Sequence, residues 1–127
     1  MPTPLPSVSI VIPAYNEQAT IRSCLLAAVM QTVPAHEIIV VDNRSTDDTA
    51  ERVRSVMAEH PNAPITLLAQ NDEQGLIPTR NVGLDAATGD VLGRIDADSI
   101  LEPNWVEQVQ LGFVDESVAA ATGPVLY

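Results

Sequence analysis

The chain has 127 residues, 46% of them apolar, with 17 acidic residues against six basic ones and a net charge of −11. That length suits one domain of modest size, and no apolar run approaches the ~18 residues of a membrane span. All six bases are arginine, which excludes a P-loop phosphate site, a Schiff base and phosphotransfer by an Asp–Lys pair.

The elements alternate along the chain. Met1-Pro2-Thr3-Pro4 has neither the basic region nor the apolar core of a secretion signal. The expected location is the cytoplasm, or the inner face of the membrane for a longer protein. Val8–Ile12 is β-branched and ends at Pro13, so it predicts a buried strand. Asn16 is a candidate N-cap for a helix with Ile21, Cys24, Leu25, Ala28 and Val29 on its apolar face. Cys24, the single cysteine, reads as core filling there. Glu37–Val41 predicts a second strand, closed by Asp42. Ser45-Thr46-Asp47-Asp48 predicts a helix start, with Ala50, Val53 and Met57 following on one face. Ile65–Ala69 is a third strand. Gly75–Ala87 is weakly helical, and Pro78 within it predicts a start delayed to Thr79. Val91–Ile95 is a fourth strand, and Pro103 at a first helical position opens a helix with Val106, Val109 and Phe113. Val118–Thr122 reads as a fifth strand, and Val125-Leu126-Tyr127 as the start of another.

Strands that are continuously apolar, rather than alternating, indicate a sheet covered on both faces. The expected fold is therefore α/β: a mostly parallel sheet with right-handed crossovers and helices on both faces. Ligands of such sheets sit beyond the carboxyl ends of the strands. Those ends are Pro13–Asn16, Asp42–Ser45, Gln70–Asp72 and Asp96–Asp98, all polar and three of them acidic.

Asp96-Ala97-Asp98-Ser99 is the most telling of the four. Two carboxylates two residues apart on extended backbone point the same way. Paired hard oxygens at a sheet's carboxyl edge suit a divalent cation shared with phosphate oxygens. A solvated acidic turn is the other reading. The charge balance bears on the choice: a basic patch for nucleic acid is absent, and a phosphorylated ligand would need a metal for most of its positive charge. An acidic surface adapted to solvation accounts for the same composition.

Four segments together resemble a known family. Val8-Ser9-Ile10-Val11-Ile12-Pro13-Ala14-Tyr15-Asn16-Glu17 resembles the opening of family 2 glycosyltransferases, which have the Rossmann-like GT-A fold. Ile39–Thr49 resembles their second strand and loop, Gly75–Gly83 their G-x-x-x-A-R-N-x-G segment, and Asp96-Ala97-Asp98 their D-x-D. The order and spacing match from Val8 onward. The resemblance implies a metal-dependent transferase that moves a sugar from a nucleotide-diphosphate sugar, with a UDP-sugar favoured, to a saccharide, lipid or protein acceptor. It places Pro13, Tyr15, Glu17, Asp42, Arg80 and Asp96 at the nucleotide-sugar, and Asp98 with Asp96 at Mn²⁺ or Mg²⁺. Within it, Pro13 fixes the turn after the first strand and Tyr15 stacks on the base, or only caps the sheet edge. Asp42 accepts from base N–H groups. Arg80 is a fixed cation near the nucleotide, or pairs with Asp72 or Glu73. Glu17 is a donor-site residue or a first-turn helix acid.

The chain departs from the family pattern at Asn43-Arg44, where Asp-Gly is frequent, and at Thr79, where Ala is usual. Arg94 points the same way as Asp96 on an extended strand and reads as a salt-bridge partner of Asp96 or Asp98, or as a phosphate ligand. No catalytic base is identified. Asp115 and Glu116 read as exposed helix-end acids, and the base of inverting family members lies well after the D-x-D. Residues 1–127 thus read as a single nucleotide-sugar-binding part of a longer catalytic domain, apparently truncated, with an uncovered sheet edge open to self-association. The alternative is a non-catalytic nucleotide-sugar-binding or interaction module. A D-x-D phosphohydrolase is disfavoured, because Pro13-Ala14-Tyr15 stands where its aspartates would follow the first strand.

Overall fold

Short β-branched runs form the strands, and the apolar stripes between them form the helices. The computed structural model describes residues 5–113 and 125–126. In chain order these are β1 (Val8–Ala14), α1 (Ile21–Val29), β2 (Glu37–Asp42), α2 (Thr49–Glu59), β3 (Ile65–Ala69), α3 (Leu76–Ala86), β4 (Val91–Arg94), β5 (Ile100–Leu101), α4 (Trp105–Gly112) and β6 (Val125–Leu126). The strand expected over Val118–Thr122 and the acids Asp115 and Glu116 lie outside the described residues.

The main sheet has the order β3-β2-β1-β4, and every pair in it is parallel. Alternation along the strands divides its side chains between two covered faces. Val8, Ile10, Ile12, Ile38 and Val40 pack in one core with Ile21, Cys24, Leu25, Val53, Val56, Trp105 and Val106 of α1, α2 and α4. Val11 and Val41 point the other way, against α3. There Gly83 is needed for close approach, since a Cβ on it would lie 2.4 Å from Val11 Cγ1 and 3.1 Å from Val41 Cγ2. The edge strands are half-buried: Leu92 in β4 stands 45% exposed. β5 pairs antiparallel with β6 in a separate ribbon.

Several expected boundaries move, each for a local reason. Pro13 lies inside β1 rather than in a turn after it. Central strands normally reject proline, but Val11 is the last β1 residue to pair with β4. Pro13 points to that same side by alternation, so its missing N–H has no partner to lose. Asn16 is not the cap of α1, which starts only at Ile21. It adopts a left-handed φ of 51°, and its Oδ1 accepts from Thr46 N at 2.8 Å. α2 begins at Thr49, not Ser45. The hydroxyls and acids at this junction face the β1–α1 loop instead: Ser45 Oγ accepts from Asn16 N, Asp47 Oδ2 from Gln18 N, and Thr49 Oγ1 from Glu17 N. Pro78 does not delay α3, because it sits in the first turn, where N–H groups lack helical partners anyway. Pro103 precedes α4 by two residues, in a turn closed by Trp105 N to Glu102 O.

Candidate functional site: a carboxylate-lined cleft at the strand ends

After β3 the chain crosses to the far side of β1 to lay down β4. Strand order therefore reverses between β1 and β4, and a crevice opens at their carboxyl ends. The structure has a cleft of about 580 Å³ there, lined by Pro13, Ala14, Tyr15 and Glu17 after β1 and by Asn43 after β2. Gln74, Gly75, Leu76 and Thr79 at the start of α3 and Asp96, Ala97 and Asp98 after β4 complete the lining.

Asp96 and Asp98 do reach one cleft, but not by strand alternation. β4 ends at Arg94, and Ser99 N donates to Asp96 O at 3.0 Å, so Asp96–Ser99 is a tight turn. Ala97 is buried beneath it while Asp98 is exposed. Cys24 of α1 lies under this turn and donates Sγ–H to Asp96 O at 3.5 Å. Burial, and then the nearby carboxylates of Asp98, Asp96 and Glu17, push its thiol up to about 12. The thiol is inert core filling, as the sequence indicates, and its shift registers three acids gathered on one side. Arg94 Nη1 meets Asp96 Oδ1 at 3.0 Å, so of the partners the sequence leaves open the structure selects Asp96.

Of the candidate residues, Pro13, Tyr15, Glu17, Asp96 and Asp98 line the cleft together. Tyr15 is 50% exposed at the rim. Glu17 lies in the turn before α1, not in its first turn, and its Oε2 accepts from Thr20 Oγ1. Asp42 and Arg80 lie outside the cleft lining. Asp42 has the parity of Val40 and so points to the α2 side, into a hollow it shares with Ala50, Arg54 and Met57. Arg80 is half-buried on α3, its Nε unpartnered, and among the described residues it makes no ion pair with Asp72 or Glu73.

Sequence reasoning missed Asn43, Gln74 and Thr79. Asn43 has the parity of Val41, which turns it toward α3. It is buried, and its side chain ties the end of β2 to the loop over residues 70–75. Gly75 in that loop has a φ of +133°, a left-handed value that favours glycine. Thr79 Oγ1 donates to Gly75 O at 2.6 Å. The departures Asn43 and Thr79 thus cooperate in one rim. Arg44 occupies a left-handed φ of 58°, which explains why glycine is frequent there in the family.

The cleft lining contains three carboxylates and no basic side chain. Among the described residues, no three His, Cys, Asp or Glu side chains converge as a ready metal cage. Asp96 and Asp98 offer hard oxygens for a divalent cation that draws its remaining ligands from phosphate and water. They fit a shared cation, not a caged one.

Comparison with known proteins agrees with this geometry. The family model for glycosyl transferase family 2 matches residues 9–127. The glycosyltransferase AglE of Haloferax volcanii is 36% identical over 110 residues, covering 85% of this chain and 36% of AglE. The mannosyltransferase PcManGT from Pyrobaculum calidifontis, solved in complex with GDP-Man and Mn²⁺, superposes with a TM-score of 0.72 at 34% identity, over 77% of this chain and 29% of that one. Glucosyl-3-phosphoglycerate synthase from Mycobacterium tuberculosis, in complex with Mn²⁺, UDP and glucosyl-3-phosphoglycerate, gives a TM-score of 0.65 at 28% identity over 82% of this chain and 38% of that one. The chain thus spans about a third of the length of each of these proteins. With the parallel GT-A sheet, the switch-point cleft and this match over most of its length, the chain belongs to glycosyl transferase family 2.

Proposed function

We propose that this chain holds the nucleotide-diphosphate sugar of a glycosyl transfer, with a UDP-sugar as the favoured donor, in the cleft between β1 and β4. One observation carries the reading: an acidic cleft at the strand-order switch point, with Tyr15 at its rim and Asp96 and Asp98 together at its β4 side. An aromatic face at such a rim is a stacking surface for a base. A diphosphate in a cleft without basic lining needs a cation, and Asp98 and Asp96 are the residues that would hold Mn²⁺ or Mg²⁺. When bound, such a cation offsets the charge of the diphosphate leaving group. Two relatives support the choice of ligand, since they are solved with GDP-Man and Mn²⁺ and with UDP and Mn²⁺.

Asp42, behind the β2 end, and Arg80, on α3 behind the rim, lie at the border of this site and outside its lining. Arg94 holds the Asp96 carboxylate in place and leaves Asp98 the more open metal ligand. The acceptor, a saccharide, lipid or protein, approaches from the open side of the cleft.

Calorimetric titration with UDP-sugars and GDP-sugars, with and without Mn²⁺, tests the proposal. Metal-dependent binding that disappears in Asp98→Ala is expected. Binding that ignores both the metal and the substitution would overturn it. Donor binding without any transfer or hydrolysis by the full-length protein would favour a non-catalytic binding module.

A further inference from the structure

We propose that Gln74 reads the nucleobase through its side-chain carbonyl oxygen, and that Asn43 is the positioning residue that aims it. The inference rests on the donor-binding reading of the cleft and names a specificity element within it.

Asn43 is 2% exposed and uses its whole side chain inside the protein. Nδ2 spends its two protons on Gln70 O at 2.8 Å and Glu73 O at 2.9 Å. Oδ1 accepts from Gly75 N at 2.8 Å and from Gln74 Nε2 at 3.2 Å. An amide with two donors and two acceptor sites has nothing left for a ligand. Asn43 lines the cleft but is saturated.

Gln74 is different. Its Nε2 donates to Asn43 O at 2.9 Å as well as to Asn43 Oδ1. Both contacts are to oxygen acceptors, so only the nitrogen can make them, and the amide's orientation is fixed. What remains is Oε1, without a partner among the described residues, on an exposed residue of the same cleft that Tyr15 lines. A carbonyl oxygen repels phosphate and accepts from N–H. A base stacked on Tyr15 offers N–H groups on its edge, and the diphosphate offers none. The free end of Gln74 therefore matches the base rather than the charged end of the donor.

The test uses the full-length protein with Mn²⁺ and four probes: UDP, GDP, pyrophosphate, and a nucleotide methylated at every N–H of its base edge, N3-methyl-UDP or N1,N2,N2-trimethyl-GDP. In Gln74→Leu the better-bound nucleotide should weaken about ten-fold, the worth of one net hydrogen bond, while pyrophosphate binds unchanged. The methylated nucleotide, which lacks those N–H groups, should bind wild type and Gln74→Leu alike. Asn43→Ala should show the same selective loss, and the double variant should be no weaker than either single one.

Equal loss for nucleotide and pyrophosphate, or no loss at all, overturns the assignment of Gln74. Equal loss for the parent and the methylated nucleotide also overturns it and points to the ribose. A double variant weaker than both singles removes the positioning role of Asn43. Failure of wild type to bind any of the probes instead overturns the donor-binding reading itself.

Discussion

The two ends of the β-sheet use the same kinds of residues to opposite purposes. At the amino end, Glu37 Oε2 accepts from Ser9 Oγ, Thr88 N and Thr88 Oγ1. Ser9 Oγ in turn accepts from Gly89 N, and Ser7 N bonds Asp90 Oδ2. Carboxylates there are hydrogen-bonded to neighbouring segments, and they join β1, β2 and the α3–β4 loop into one knot. At the carboxyl end, Asp98 has no hydrogen bond or ion pair among the described residues, Tyr15 stands exposed, and Asn16 and Arg44 hold left-handed backbones. Local rules are kept at the amino end and broken at the carboxyl end beside the cleft, and such violations collect at functional sites.

That contrast can be broken from either end. The largest expected effect is Asp98→Ala: if Asp98 ligates the cation as proposed, Mn²⁺-dependent donor binding should weaken by at least about 100-fold. Its melting temperature should not fall, because the side chain is exposed and unpaired. A stability loss matching the binding loss would erase the distinction between the two ends. Next is Gly83→Ala, which forces a methyl into Val11 between sheet and α3. It should destabilise by about 2–3 kcal/mol in urea unfolding, and it should loosen the cleft rim that α3 carries.

Glu37→Gln at the amino end should cost about 1–2 kcal/mol, through weaker hydrogen bonds to a neutral acceptor, and leave donor affinity intact. Burial alone would raise the Glu37 pKa, but the bonds from Ser9 and Thr88, with His36 nearby, outweigh it and hold the carboxyl below its ordinary 4.5. The folded state thus binds fewer protons. Glu37's contribution is full above pH 4.5 and is lost as pH falls through the lowered value. Wild type and Glu37→Gln should therefore converge in stability during acid titration, and parallel curves would sink this assignment. The smallest effect is Arg44→Gly, which relieves the left-handed backbone and should raise stability by up to about 1 kcal/mol. A loss of stability would mean that Arg44 makes contacts that outweigh its strain.

Much of the fold could be read from local chemistry. The β-branched runs Val8–Ile12, Glu37–Val41 and Ile65–Ala69 are strands because their residues suit a pleated, buried surface. The helix starts could not be placed the same way. Ser45, Asp47 and Thr49 have the chemistry of a cap, yet their oxygens serve backbone N–H groups 29 to 32 residues earlier in the chain. A capping residue and a cross-loop acceptor look identical until the partner loop is in place.

The site divides along the same line. The sequence by itself determined that acids and an aromatic residue end the strands, that no lysine is available to neutralise them, and that the four motifs follow family order. Tertiary structure decided which neighbours of those motifs face the cleft. Adjacent strand residues point to opposite faces, so either Asp42 or Asn43 could have been the one to reach it. The packing of α3 on the face of Val11 and Val41 selected Asn43 and sent Asp42 toward α2. Periodicity fixes that two side chains part, but only the element packed against the sheet fixes which of them faces the cleft.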